Sequence, residues 1–365
     1  MKTSQRSSIA YYVSSHGYGH GVRSCNIIQA INELHPHLHV HVVSELPTSF
    51  LSNQIDLRRN SVRAESFDVG MTQIDSIRVD VPSTLERIRA IYSQRKERVA
   101  LEAEKLEKQG IGLVVVDIPA LPLEAAASMG IPCLAVGNFA WDWIYSEFIP
   151  QDPGWREIVD VLQEEYSKTD LLLRLPFCER MQAFPNIEDI PLVASPGNSN
   201  RNVIADLTQC DPGKKWILLS FTSLDWTEET LAKIERIREY EFFTVRPLEW
   251  HGSNIHALHR GPLAFADILA SMDAVISKPG FGILSDCIAN RKPLIYADRS
   301  NFREYPILVD AIRKYIKHVH IPALDLYRGD LQESLARIWE SPEPEGELGL
   351  GGDRIAARRI AQCLE

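Results

Sequence analysis

Hydrophobic positions in this chain fall into short unbroken runs, separated by stretches with helical spacing. The first run, Ile9 to Val13, ends in Ser14-Ser15-His16-Gly17-Tyr18-Gly19-His20-Gly21. A helix is predicted from Val22, with Val22, Ile27, Ile28, Ile31 and Leu34 on one buried face. A second strand reads His39-Val40-His41-Val42-Val43, and charged, helix-compatible sequence runs from about Ser83 to Lys108. Gly112-Leu113-Val114-Val115-Val116 is a continuous apolar strand that ends on Asp117. A helix (Pro122 to Met129) and a strand (Ile131 to Val136) extend the alternation. Short apolar runs alternating with helices are what a parallel sheet buried on both faces produces.

The series restarts after Pro191-Leu192-Val193-Ala194-Ser195-Pro196-Gly197. Strands are predicted at Trp216 to Ser220, Phe242 to Val245, Ala274 to Ser277 and Pro293 to Tyr296, with a helix over Gly282 to Asn290. The pattern therefore predicts two doubly wound α/β domains, residues 1–195 and 196–350. A Pro/Glu/Gly-rich link (Ser341 to Gly352) precedes a last amphipathic helix, Arg354 to Leu364, within a tail (351–365) expected to pack back on the first domain. Ligands of open parallel sheets sit beyond the carboxyl ends of the strands, so two such sheets facing each other predict a cleft lined by strand-end residues.

Composition narrows the function. A length of 365 residues suits two domains, and a 45% hydrophobic fraction suits substantial cores. The formal net charge of -10 argues against a general nucleic-acid binder, which needs a basic surface to displace counterions. The 6 cysteines are far apart with no CxxC spacing and read as reduced thiols of a cytoplasmic protein. The polar stretch Met1 to Ser8 lacks the apolar core of a signal peptide, and no apolar run approaches the roughly 20 residues of a membrane span. Peripheral membrane contact stays open, although no sequence feature points to it.

Two strand-to-helix loops carry the chemistry. In Ser15 to Gly21, glycines allow close backbone approach, and a following helix N-terminus attracts negative charge. His20 sits at that helix entrance, where the positive end favours the neutral, proton-accepting imidazole. A histidine that merely caps the turn is the competing reading. Asp117 is either a loop cap or, against a histidine, an orienter that fixes its tautomer. Ser277-Lys278-Pro279-Gly280-Phe281-Gly282-Ile283-Leu284-Ser285-Asp286 combines a strand end, a lysine, two glycines and a helix start, an arrangement suited to phosphate. Asp286 is placed to accept hydrogen bonds from ribose hydroxyls; a tight turn with an acidic residue near the helix start is the plainer alternative.

The motifs SHGYGHGVR and SKPGFGILSD together resemble the glycosyltransferase-like domain at the N-terminus of plant L-arabinokinases. Asn138 to Tyr145 and Asn301 to Pro306 also look like that family's segments, and the likeness spans nearly the whole chain in order. More distantly the chain is similar to plant small-molecule glucosyltransferases and the peptidoglycan N-acetylglucosaminyltransferase, inverting enzymes of the GT-B architecture. The family's kinase module would follow the last residue, Glu365, so the resemblance implies a stand-alone form without sugar kinase activity.

That resemblance implies roles. His20 falls where the family keeps the base that deprotonates the acceptor hydroxyl, and Asp117 where its partner stands. Lys278 corresponds to a donor-diphosphate contact, Gly280, Phe281 and Gly282 to the phosphate loop, Asp286 to the ribose contact and Glu304 to a contact with the transferred sugar. Ser220 and Thr222 correspond to strand-end hydroxyls beside the diphosphate, and Gly19 to the loop facing the donor. His16, Asn138, Trp141 and Asp142 are candidates on the acceptor side. The pattern departs in three places: Asp286 replaces the usual glutamate, Ile283 stands where a hydroxyl residue often helps hold phosphate, and Glu304 lies in Arg-Glu rather than Asp-Gln.

The expectation is thus an inverting, metal-independent transfer from a nucleotide-sugar, with UDP taken from the wider family, to an unidentified acceptor. Lys278, backbone N–H groups and a helix N-terminus would meet the leaving charge, and domain closure would exclude water. Two alternatives share the architecture: a nucleotide-sugar epimerase, which needs no acceptor, and a non-catalytic sugar-nucleotide-binding module. The alternation His35, His37, His39, His41 is read as one face of a strand rather than a zinc site. The basic segment Arg87 to Arg98 is read as a solvated helix face.

Overall fold

Among the described residues of this computed structural model, 8–258 and 263–364, two fully parallel sheets carry the fold. The polar N-terminal stretch read above as lacking a leader lies almost wholly outside them. The first sheet comprises β1 (Ser8–Val13), β2 (His39–Val43), β3 (Asn60–Arg63), β4 (Ile111–Asp117), β5 (Cys133–Gly137), β6 (Leu171–Arg174) and β7 (Ile187–Asp189), in the order β3-β2-β1-β4-β5-β6-β7. The second comprises β8 (Lys215–Ser220), β9 (Tyr240–Val245), β10 (Ile255–Leu258), β11 (Ala274–Ser277), β12 (Leu294–Ala297) and β13 (His318–Ile321), in the order β10-β9-β8-β11-β12-β13. In each sheet the order reverses beside the first strand, between β1 and β4 and between β8 and β11. Such switch points open a crevice at the carboxyl edge where loops diverge.

Each sheet is buried on both faces, which is why the strands read as unbroken apolar runs. Ile9, Tyr11, Val40, Val42, Leu113 and Val115 form the centre of the first core, and Ile217, Leu219, Phe242, Ile276 and Ile295 that of the second. The first unit takes in the described residues up to Thr72, then Asp80–Ala194, then the described residues from Gly349. The second takes in Gln73–Val79 and Ser195–Leu348. The last helix, Gly352–Gln362, packs on helix Tyr18–Leu34 inside the first unit through Ala356, Ala357 and Ile360.

Three features depart from the sequence reading. The N-terminal domain is not continuous, because Gln73–Val79 belongs to the second unit. There Ile77 joins the core and Asp75 accepts hydrogen bonds from Tyr327 Oη (2.7 Å) and Arg78 Nε (2.9 Å). The first helix begins at Tyr18 rather than Val22, with Gly17 as its extended N-cap and the His20 N–H bonded to the Gly17 carbonyl at 3.2 Å. The helix-compatible stretch from about Ser83 to Lys108 forms two helices, Val81–Ser93 and Arg95–Lys108, broken at Gln94. No glycine or proline marks the break. The first half packs on helix Trp155–Tyr166 and the second on helix Leu121–Ser128, so tertiary partners bend the chain there.

No described helix is long and apolar enough to cross a membrane. Among the described residues no group of three or more His, Cys, Asp or Glu is arranged to hold a metal ion. The His39 and His41 rings do share a face, 4.5 Å apart, and His41 Nδ1 meets Ser61 Oγ at 2.8 Å.

Candidate active site

Helix Tyr18–Leu34 places His20, Arg23 and Ser24 at positions i, i+3 and i+4, hence on one face, and that face meets the end of β4. Asp117, with no exposed surface, receives all three. Its Oδ1 contacts His20 Nδ1 at 2.8 Å and accepts from Arg23 Nη2; its Oδ2 accepts from Arg23 Nε at 2.6 Å and Ser24 Oγ at 2.8 Å. Burial alone would raise the Asp117 carboxyl. The charges of Arg23 and His20 and the hydrogen bonds from both overcome it and hold the group well below the usual carboxylate range. Three fixed donors and the His20 ring nitrogen surround the carboxylate.

The turn after Asp117 is strained. Ile118 has φ 66, which a β-branched residue adopts only when its surroundings force it. Tyr166 Oη donates to the Ile118 carbonyl at 2.8 Å, and Gly137 leaves the space its side chain fills, since a Cβ there would lie 2.7 Å from Ile118 Cγ2. This turn lets β4 stop with its carboxylate aimed along the sheet edge.

The residues proposed for the acceptor side have other duties. Asn138 is 3% exposed; its Oδ1 accepts from Arg23 Nη1 and its Nδ2 donates to the Pro176 carbonyl. Trp141 is 2% exposed, stacks on Tyr145 with centroids 5.5 Å apart, and donates from Nε1 to Asp68 Oδ2 at 2.8 Å. Asp142 is buried. Trp141 offers no exposed ring face for stacking, because the aromatic start of that helix is spent on packing. His16 lies against Gly70 (φ 66), its Nδ1 accepting the Met71 N–H at 3.1 Å. Asp68 is a second buried carboxyl near His20; burial raises it against hydrogen bonds from Ser14 and Trp141.

In the second sheet the loop after β11 runs into helix Phe281–Asn290, with Gly280 as an N-cap that supplies no side-chain oxygen. The N-terminal turn of that helix therefore stands at the end of the loop with no side-chain cap, an arrangement suited to an anion. A Cβ on Gly280 would lie 3.2 Å from Lys278 Nζ, so the glycine leaves room for the ammonium over the helix end. Arg299, in the loop after β12 and 8% exposed, donates from Nη1 to the Pro279 carbonyl at 3.1 Å and approaches Glu304 Oε1 at 3.5 Å. Its buried Nε has no hydrogen-bond partner. Burial first, then the Arg299 charge, push Lys278 down to about 7 against the pull of Glu304. Burial alone raises Asp286 to about 7.

The remaining sequence-nominated groups are placed less freely. The Ser220 carbonyl accepts Ser277 Oγ at 2.6 Å across the switch point. Thr222 is engaged by Ser76: their hydroxyls lie 3.1 Å apart, and Ser76 Oγ accepts the N–H groups of Thr222 and Ser223 at 3.1 and 3.0 Å. Thr222 is thus held by the Gln73–Val79 segment. Glu304 Oε1 faces Arg299 Nη1 at 3.5 Å. Gly19 lies in the first helical turn beside His20. The sequence reading missed Arg23, Ser24, Asp68 and Arg299. Spacing from His20 was a signal for the first two, and position just past a strand end was one for Arg299.

Both sheets therefore carry polar groups at the switch point, a histidine–carboxylate pair on one and the cations Lys278 and Arg299 on the other. Solved structures with the same arrangement of elements include the glycotransferase of kitacinnamycin, with a TM-score of 0.61 at 13% identity over 98% of this chain and 94% of that one. The fold is GT-B. Two further GT-B structures are Phytolacca americana UGT2 complexed with UDP-2fluoro-glucose and pterostilbene (TM-score 0.60, 12% identity, 98% and 94% covered) and a transferase from Siraitia grosvenorii in complex with UDP (0.57, 11%, 98% and 100%). In sequence the chain is similar to L-arabinokinase of Arabidopsis thaliana, 29% identical over 370 residues. The match takes in 97% of this chain, and the chain spans about a third (34%) of the length of that relative. No family model matches the chain.

Proposed function

We propose that this GT-B chain is an inverting glycosyltransferase that moves a sugar from a nucleotide-sugar, with UDP as the expected nucleotide, to an acceptor hydroxyl. The observation that carries the reading is His20 on the buried, ionised Asp117 at the switch point of the first sheet. That pair can take a proton, and an acceptor hydroxyl must lose one. Kinship in sequence with L-arabinokinase and in fold with transferases solved with UDP or a UDP-sugar supports the same chemistry.

In the proposed reaction His20 Nε2 removes the acceptor proton as that oxygen bonds to the anomeric carbon from the face opposite the leaving group. The bond from that carbon to the diphosphate oxygen breaks, and its electron pair leaves with the nucleoside diphosphate. Lys278, Arg299 and the N-terminal turn of helix Phe281–Asn290 meet the growing negative charge. These groups can supply the compensation without a metal ion, and Asp286 accepts from ribose hydroxyls.

The test is a panel of UDP-, GDP-, TDP- and ADP-sugars, read by calorimetric binding and by nucleoside diphosphate release. Wild type is expected to bind one donor. Lys278→Ala should lose that binding, while His20→Ala should keep it and lose release by roughly 100-fold or more. Absence of binding to every donor would refute the proposal. Sugar isomerisation without acceptor would replace transfer by epimerisation.

A further inference from the structure

His20 Nδ1 lies 2.8 Å from Asp117 Oδ1 and 2.9 Å from Arg23 Nη2, an acceptor and a donor at the same ring atom. The two neighbours demand opposite tautomers. With the proton on Nδ1 the ring donates to Asp117 and leaves the Nε2 lone pair free; with the proton on Nε2, Nδ1 accepts from Arg23 and the ring cannot act as a base through Nε2. Which tautomer forms depends on whether Asp117 is ionised. A carboxylate facing an unprotonated Nδ1 at 2.8 Å would set two lone pairs against each other.

Arg23 decides that question. Its guanidinium grips both Asp117 oxygens, Nε on Oδ2 and Nη2 on Oδ1, while Nη1 is fixed by Asn138. The carboxylate has no exposed surface, so without that charge burial would favour its protonated form. A protonated Asp117 would donate to Nδ1 and drive the ring proton to Nε2. The other ionisable groups facing His20 are Asp68, from the loop after β3, and His16, whose ring centroid is 6.5 Å away after β1. Neither is bonded to Nδ1.

We propose that Arg23 is a positioning residue for His20: it keeps Asp117 ionised, so that the neutral imidazole carries its proton on Nδ1 and presents Nε2 as the proton acceptor. The functional meaning of this tautomer rests on the transferase reading; the tautomer itself does not.

The test is long-range proton–nitrogen NMR on the full chain labelled with nitrogen-15, at a pH where the imidazole is neutral, with His20 assigned by the signals lost in His20→Gln. Wild type is expected to show Nδ1 protonated and Nε2 bare. Arg23→Met should invert the pattern, and Arg23→Lys, which keeps a charge beside Asp117, should retain it. Arg23→Gln stands in for Arg23→Met if the latter does not fold, and wild type with Arg23→Lys decides if neither does. An Nε2-protonated ring in wild type or in Arg23→Lys would overturn the proposal, as would an unchanged pattern in a folded, uncharged Arg23 variant. Because no donor or acceptor is present, the outcome is separate from the transfer assay. An Nδ1-protonated His20 in a chain that transfers no sugar would sink the function and leave this inference standing.

Discussion

Replacing Lys278 by methionine should stabilise the protein, and by an amount that depends on pH. The ammonium sits over a helix N-terminus, beside the buried Arg299 guanidinium, with Glu304 as the neighbouring counter-charge. Burial and that second cation push it from 10.5 to about 7. At about 1.4 kcal/mol per pH unit, the disfavoured charge has a ceiling of roughly 5 kcal/mol, and local hydration would bring the realised value to about half. The folded-state value lies below the unfolded one, so the unfolded chain binds more protons between about 7 and 10.5 and wild-type stability rises with pH through that window. The variant lacks the slope. Its advantage should be full below pH 7, fall across the window and vanish above it. Thermal shift of the purified chain at pH 6, 7.5, 9 and 10 reads this, with roughly 2–4 °C expected per kcal/mol for a unit of this size. Parallel curves for the two proteins, or a variant less stable at pH 6, would refute the claim that desolvation and the Arg299 charge disfavour this half-buried ammonium. Added nucleoside diphosphate should raise the melting temperature of wild type and leave Lys278→Met unmoved.

Three further outcomes follow from the same geometry. Donor affinity should peak near pH 7: above it Lys278 must take up a proton on binding, and below it Asp286 must lose one to accept ribose hydroxyls. A calorimetric titration flat from pH 5.5 to 8.5 would contradict this. Asp117→Asn should destabilise the first unit by roughly 3–5 kcal/mol, because Arg23 is left buried without its counter-charge; urea unfolding measures it. Gly137→Ala should cost about 1–3 kcal/mol, since its methyl would meet Ile118 Cγ2 at 2.7 Å and the Phe139 carbonyl at 3.3 Å. A change under 0.5 kcal/mol in the same unfolding assay would show that the turn after Asp117 yields freely.

The two sheets were legible in the sequence because a strand buried on both faces leaves a local mark, four or more apolar residues in a row, and a loop that meets a helix end needs glycine. β4, β8 and β11 could be drawn within a residue or two, and with them Asp117, Ser220 and Lys278 at their carboxyl ends. His20 and Gly280 followed from the loops. Tertiary structure decided what those groups touch. Arg23 finds Asp117 94 positions away and Asn138 115 away, and nothing in the intervening sequence encodes either meeting. The same holds for Arg299 against Lys278, for the helix break at Gln94 and for Gln73–Val79, whose partners Thr222, Ser223 and Tyr327 lie far down the chain. Trp141 and Thr222 show the converse: each had the right type and place for a ligand contact, and each is taken up by a neighbour that only folding supplies. Periodicity within a few residues reports which backbone forms and which face is apolar. The partner of a charge is set by how remote elements pack, and there the low dielectric of the interior makes the pairing decisive.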